Sequence, residues 1–173
     1  LDCHPADVSA RAGVDVLSLG ATKNGAVAAE AILFFDKDLV IDFEYQLKRT
    51  GHLVSKGRRF GAQFVPWLAD EHWLDLATIA NDMAKRLRGA VDGLQGMRLA
   101  FETQSNESFI ILDRALFAAL MEAGASMYDW YPDALPPGVE CGDDEMLARL
   151  VTSFATTDAE IDEFVRQAAD LAS

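Results

Sequence analysis

Lys23 lies in Gly20-Ala21-Thr22-Lys23-Asn24-Gly25, between an apolar run from Val14 to Leu19 and a second from Ala28 to Phe35 that Glu30 interrupts. A β-branched run closed by glycine reads as a buried strand, and an Asn-Gly pair favours the positive φ values of a tight hairpin turn. The two runs are therefore expected to be antiparallel neighbours with Lys23 at the tip. A lysine there is by default a solvated surface charge. If the flanking strands exclude water, however, desolvation disfavours its ammonium form. A neutral amine attacks an aldehyde, so a desolvated lysine on a rigid turn suits Schiff-base chemistry.

The elements that would position this residue follow from periodicity. Phe60, Phe64, Trp67 and Leu68 share one face of a helix expected over Ser55 to Ala69. After a break at Ala69-Asp70-Glu71, the same rhythm runs through Trp73, Leu76, Ala80, Met83, Leu87 and Val91 and stops at Gly93. Strands are expected at Met97 to Glu102, Ser108 to Leu112, Ser126 to Trp130 and Leu147 to Phe154, with a helix from Arg114 to Glu122 ended by Gly124. Tyr131 to Asp144 carries Pro132, Pro136, Pro137, Gly138 and Gly142, which predicts an irregular loop with room to move. Thr157-Asp158-Ala159-Glu160 has capping-box spacing for a last helix carrying Ile161, Phe164, Val165, Ala168 and Leu171 on one side. A main boundary is expected near Ile41 to Arg49.

Half of the 173 residues are hydrophobic and a quarter are charged, which fits one globular domain or one domain plus part of another. Fifteen basic against 28 acidic residues leave a net charge of −13, which argues against nucleic acid or an anionic membrane as a partner. Cys3 and Cys141 form no close pair and neither has zinc-ligand spacing, so no metal is expected and a reducing cytoplasm is the simplest setting. No apolar run approaches the roughly 20 residues of a spanning helix. The chain opens on Leu1, and Leu1 to Ala10 has neither a basic nor an apolar leader segment, so it is expected to begin partway through a longer gene product.

The order Gly13-Val14-Asp15-Val16-Leu17-Ser18, Gly20-Ala21-Thr22-Lys23-Asn24-Gly25 and Ala29-Glu30-Ala31 resembles the cofactor-lysine segment of the low-specificity L-threonine aldolases, which use pyridoxal 5′-phosphate (PLP). The resemblance continues through Lys48-Arg49-Thr50-Gly51-His52-Leu53 and Ser55-Lys56-Gly57-Arg58. It ends at Arg149-Leu150-Val151-Thr152-Ser153-Phe154-Ala155-Thr156-Thr157, similar to the last strand of that family, and spans about nine-tenths of the chain. It implies an α/β fold of fold type I: residues 1–41 end a large PLP-binding, transferase-like domain, 42–70 are interdomain helices, and 71–173 form a small α+β domain.

Carried over, the resemblance implies that Lys23 binds PLP covalently. It implies that Thr22 contacts the cofactor phosphate, unless its hydroxyl bonds to its own local backbone. Arg58 would reach the phosphate, with Arg59 beside it as a competitor for the role, and Arg149 would clamp the substrate α-carboxylate. The other reading of Arg149 is a strand-edge ion pair with Asp143, Asp144 or Glu145. A base for the substrate hydroxyl is also needed; His4 and His72 read as structural, and His52 stays open. The implied activity is cleavage of L-threonine and related β-hydroxy-α-amino acids to glycine and an aldehyde. Residues that stack on the PLP ring and pair with its nitrogen lie upstream in this family, so the amino-terminal half of the enzyme is an implied partner, as is a homodimer or homotetramer. The rivals are another PLP lyase or transaminase of the same architecture, or a noncatalytic fragment of such an enzyme.

Overall fold

β1, Val16–Gly20, pairs antiparallel with β2, Glu30–Phe34, so that Val16 lies opposite Phe34 and Gly20 opposite Glu30. The computed structural model describes residues 3–102 and 104–172. It divides into two compact units, Leu1–Trp73 and Leu74–Ser173, and the segment 42–70 lies within the first.

In the first unit the hairpin forms as expected, but it does not exclude water. No residue of β1 or β2 is buried, and Val16, Ile32 and Leu33 are exposed. The reason is topological: β1 and β2 form a sheet of two strands, and a ribbon of two strands cannot cover either of its own faces. The tight turn expected from the Asn-Gly pair is also replaced by a longer loop, 21–29. Gly25 takes a positive φ of 107° there while Asn24 does not, so the Asn-Gly pair serves a wider bend.

Two helices follow, α1 at Phe43–Arg49 and α2 at Arg58–Leu68. The Phe43 ring packs edge-on against Phe34 of β2, with centroids 4.8 Å apart. α2 starts later than its apolar spacing suggests, because the preceding residues close a turn in which Gly57 N–H donates to the Val54 carbonyl. Of its apolar face only Trp67 is buried; Phe60 and Leu68 remain exposed. Asp70 and Glu71 both adopt left-handed backbone, with φ of 51° and 60°, and this makes the break anticipated at 69–71. α3, His72–Val91, starts beyond it.

The second unit holds most of the core. β3 (Met97–Leu99), β4 (Glu107–Asp113), β6 (Glu145–Val151) and β5 (Tyr128–Asp129) lie in that spatial order, antiparallel throughout. α4, Arg114–Glu122, and α5, Asp158–Leu171, complete the unit with α3. Strand side chains alternate between two faces. Leu112, Ile110, Met146, Ala148 and Leu150 point to the helical face and pack with Leu87 and Val91 of α3, Leu116 and Leu120 of α4, and Ile161 and Ala168 of α5. Burying each large side chain of this set contributes about 1.5–3 kcal/mol.

Ile111 and Leu147 point to the other face, where a smaller cluster forms with Ala100, Phe101, Phe109, Trp130, Leu135, Val139 and Cys141. The proline-rich segment 131–144 therefore lies on the sheet instead of hanging free. It is irregular except for a short 3-10 turn at Pro132–Ala134, and Glu145 fastens its end by accepting from Gly142 N–H at 2.8 Å. β6 ends at Val151, earlier than expected: Thr152 N–H still donates to the Asn106 carbonyl at 3.0 Å, but the Thr152 carbonyl accepts from the Asn106 side chain at 2.8 Å and its buried hydroxyl donates to the Ala80 carbonyl of α3 at 2.6 Å. α5 opens with the expected capping box, Thr157 accepting from Glu160 N–H and Glu160 from Thr157 N–H.

Candidate functional site

Lys23 is exposed, and no hydrogen bond or ion pair among the described residues reaches its ammonium group. The condition under which it would lose water to its own hairpin is thus not met within the described residues. What the hairpin does supply is a fixed backbone. Ala21 N–H donates to the Ala29 carbonyl at 2.8 Å, and Ala26 N–H and Asn24 N–H both donate to the Ala21 carbonyl at 3.0 Å. The Thr22 hydroxyl accepts from Ala29 N–H at 3.0 Å and lies 3.5 Å from the Ala29 carbonyl, so it closes the neck of the loop. Of the two uses open to Thr22, this geometry realises the local backbone bond.

Three side chains brace the same loop: Trp67, expected only to pack a helix face, Asn24, expected only to form the turn, and Gln63, for which the sequence suggested no role. Asn24 Nδ2 donates to the Trp73 carbonyl at 2.9 Å, Trp67 Nε1 donates to the Asn24 carbonyl at 2.7 Å, and Gln63 Oε1 accepts from Val27 and Ala28 N–H at 3.0 and 3.1 Å. For Gln63 the signal in the sequence is faint: a polar residue on the helix that carries Phe60, Phe64 and Trp67. Arg58 opens α2 and is exposed, and its guanidinium makes no ion pair among the described residues. His52 is exposed, as is His72 at the start of α3. His4 is structural: its Nδ1 accepts from Ala6 N–H and caps a 3-10 turn at Pro5–Val8.

In the second unit Arg149 lies inside β6, directly opposite Phe109 of β4 and Tyr128 of β5. Its guanidinium carbon sits 4.4 Å from the centroid of the Trp130 ring and 5.1 Å from that of Tyr128. The ion pair expected of a strand-edge arginine also has a different partner. Arg149 Nη1 lies 3.3 Å from Glu107 Oε1, a diagonal neighbour across β4, whereas Glu145 is taken by Arg98. Arg149 Nε is buried with no hydrogen-bond partner among the described residues.

Against known proteins, the chain is 43% identical over 128 residues to the low-specificity L-threonine aldolase of Pseudomonas aeruginosa and 40% identical over the same length to that of another Pseudomonas species. Each match covers 74% of this chain and 37% of the relative. The solved threonine aldolase of Leishmania major superposes with a TM-score of 0.86 at 30% identity, over 99% of this chain and 47% of that one. The chain is similar to part of the threonine aldolases. It spans less than half the length of the aldolases it matches. A serine palmitoyltransferase from Sphingomonas wittichii shares the fold, with a TM-score of 0.64 at 20% identity. The aldolase and transferase likenesses bear out the α/β, PLP-transferase-like fold class; no protein-family model matches the chain.

Set beside the aldolases, the four candidate residues fall in two groups, Thr22, Lys23 and Arg58 in the first unit and Arg149 in the second. The first group suits a phosphorylated aldehyde by its chemistry: an unpaired primary amine for the carbonyl and an unpaired guanidinium for a phosphate. No group of three or more His, Cys, Asp or Glu residues that could hold a metal ion occurs among the described residues.

Proposed function

We propose that the full-length protein carrying this chain is a PLP-dependent aldehyde-lyase that cleaves L-threonine, and related β-hydroxy-α-amino acids, to glycine and an aldehyde. The observation that carries this reading is the unpaired amine of Lys23, at the tip of a braced loop in a chain 43% identical to a low-specificity L-threonine aldolase. Lys23 Nζ would hold PLP, and Arg58 would hold its phosphate, with Thr22 adding a hydroxyl if its proton turns away from the Ala29 carbonyl. When bound, PLP supplies an electron-withdrawing ring conjugated to the substrate nitrogen.

The remaining chemistry assigned to this chain is positional. Arg149 is read as the carboxylate clamp: its guanidinium carbon lies over the Trp130 and Tyr128 rings, and its terminal nitrogens are the donors for a planar anion. A substrate carboxylate competes there only with the long Glu107 contact. The Lys23 amine would also be the group of this chain that carries a proton to the product carbon. The water exclusion that a reactive amine needs is assigned to polypeptide beyond this chain, in keeping with the greater length of the relatives. A second copy of the protein and a cytoplasmic setting belong to the same proposal.

The test is product analysis with the full-length protein and L-threonine. Equal amounts of glycine and acetaldehyde are expected, and Lys23→Ala should lower kcat by at least about a thousandfold while the protein stays folded. A variant that cleaves threonine at the wild-type rate refutes the reading, and an amino-group transfer product in place of acetaldehyde moves the protein to the transaminases.

A further inference from the structure

We propose that Gln63 is a positioning residue for Lys23, with the indole N–H of Trp67 as its second hold on the same loop. The inference rests on the reading of Lys23 as the cofactor lysine and assigns a purpose to contacts beyond the hairpin's own ladder. β1 and β2 pair with each other from Val16 and Phe34 to Gly20 and Glu30, and loop 21–29 closes on itself through Ala21, Thr22 and Ala29. Gln63 adds four bonds from one amide. Its Oε1 accepts from both Val27 and Ala28 N–H, and its Nε2 donates to the Ala28 carbonyl at 2.9 Å and to the Arg59 carbonyl at 3.1 Å.

Only a primary amide presents an acceptor to two N–H groups and two donors to two carbonyls from one planar group. A carboxylate would face the Ala28 and Arg59 carbonyls with lone pairs, and a hydrocarbon would leave the Val27 and Ala28 N–H groups to water. The bond to Arg59, one turn earlier on α2, fixes the rotamer of Gln63 and thereby the point in space to which the loop is tied. Trp67 repeats the device one turn on. Its N–H holds the carbonyl of Asn24, the residue after Lys23, while its ring is packed 5.7 Å from Phe64 and 5.5 Å from Trp73.

Because Val27 and Ala28 are exposed, water can replace the bonds of Gln63 to their N–H groups at little net cost in stability. Their effect is on placement, and placement of a reacting group by an ångström or less changes rates by orders of magnitude. Lys23 lies between the end of β1 and the Asn24 anchor, so its backbone has one course.

The test uses the full-length protein loaded with PLP, with two variants, Gln63→Leu and Trp67→Phe, the second keeping the aromatic packing and removing only the donor. Wild-type protein is first reduced with borohydride and digested, which should fix the cofactor on Lys23; if no label lies on Lys23, both the functional reading and this inference fail. With the label confirmed, Gln63→Leu should speed amide exchange at Val27 and Ala28 at least tenfold, slow borohydride labelling of Lys23 several-fold and shift the pH midpoint of the cofactor's absorbance. kcat should fall about tenfold with KM changed less than twofold. Trp67→Phe should repeat the labelling and absorbance changes, and it decides the matter alone if Gln63→Leu does not fold. Faster exchange with unaltered labelling, pH midpoint and kcat overturns the inference while leaving the functional reading intact.

Discussion

Arg149 is held by three unlike contacts, and each leaves a different part of its guanidinium free. Trp130 and Tyr128 meet its π-face, Glu107 meets one terminal nitrogen at 3.3 Å, and its buried Nε meets no partner among the described residues. A lysine would keep the charge but lose the planar stack and the forked donors. Arg149→Lys should therefore raise KM for the amino acid at least tenfold, which corresponds to about 1.4 kcal/mol of binding. Its melting temperature should change by only a few degrees, because much of the ion pair is solvent-screened. Steady-state kinetics beside a thermal melt check this; an unchanged KM would remove Arg149 from the substrate site. The alternative partners considered for Arg149 from the sequence were neighbours in the chain. The real one, Glu107, is a neighbour across the ladder, and register is a property that local spacing does not carry.

At the scale of elements, the link between β3 and the segment entering β6 runs through one carboxylate. Glu145 receives two guanidinium hydrogen bonds from Arg98 and one from Gly142 N–H, and Arg98 also donates to the Glu140 carbonyl. The Arg98 bonds, followed by the Gly142 bond, hold the Glu145 carboxyl down from its ordinary 4.5 to about 2. A carboxyl depressed in the folded state stabilises above its unfolded value and loses that contribution as pH falls through the folded one. Glu145→Gln should cost about 1 kcal/mol near neutrality, after discounting for the half-exposed Arg98. The gap between variant and wild type should close between pH 4.5 and about 2. Urea melts at stepped pH measure it, and a gap that persists at the acid end would show that the contact is packing, not charge.

Elements with local causes were the legible ones. The Thr157-Glu160 box, the stop at Gly93, the helix at Arg114–Glu122 and the hairpin around Lys23 all follow from residues within a few positions of each other. The burial of segment 131–144 against the sheet and the water exposure of β1 and β2 depend on what lies across from them, and no local pattern reports that. The same division holds at the site: Lys23 could be singled out from its neighbours in the chain, whereas Gln63 could not.

On the scale of the molecule, the two units differ in how they are stabilised. Large apolar side chains from three helices and the sheet are buried together in Leu74–Ser173, while in Leu1–Trp73 the buried side chains are small apart from Trp67. A protein made of residues 72–173 alone should melt cooperatively and protect the β4 and β6 amides from exchange. Residues 1–71 alone should show neither property, since a two-stranded ribbon is marginal without packing. Circular dichroism and amide exchange on both pieces decide it, and a cooperative melt of the shorter piece would count against this division of labour.

β6 sends Met146, Ala148 and Leu150 into the helical layer and turns Arg149 toward Phe109, Tyr128 and Trp130. On the proposed reading of Arg149 as a clamp, the larger core lies on the far side of the same ribbon of backbone, while Leu147 shares the arginine's face with the smaller buried cluster. Substitution at position 149 itself then leaves the helical layer undisturbed, so this strand offers a lineage one place to change its ligand without first having to survive a loss of folding.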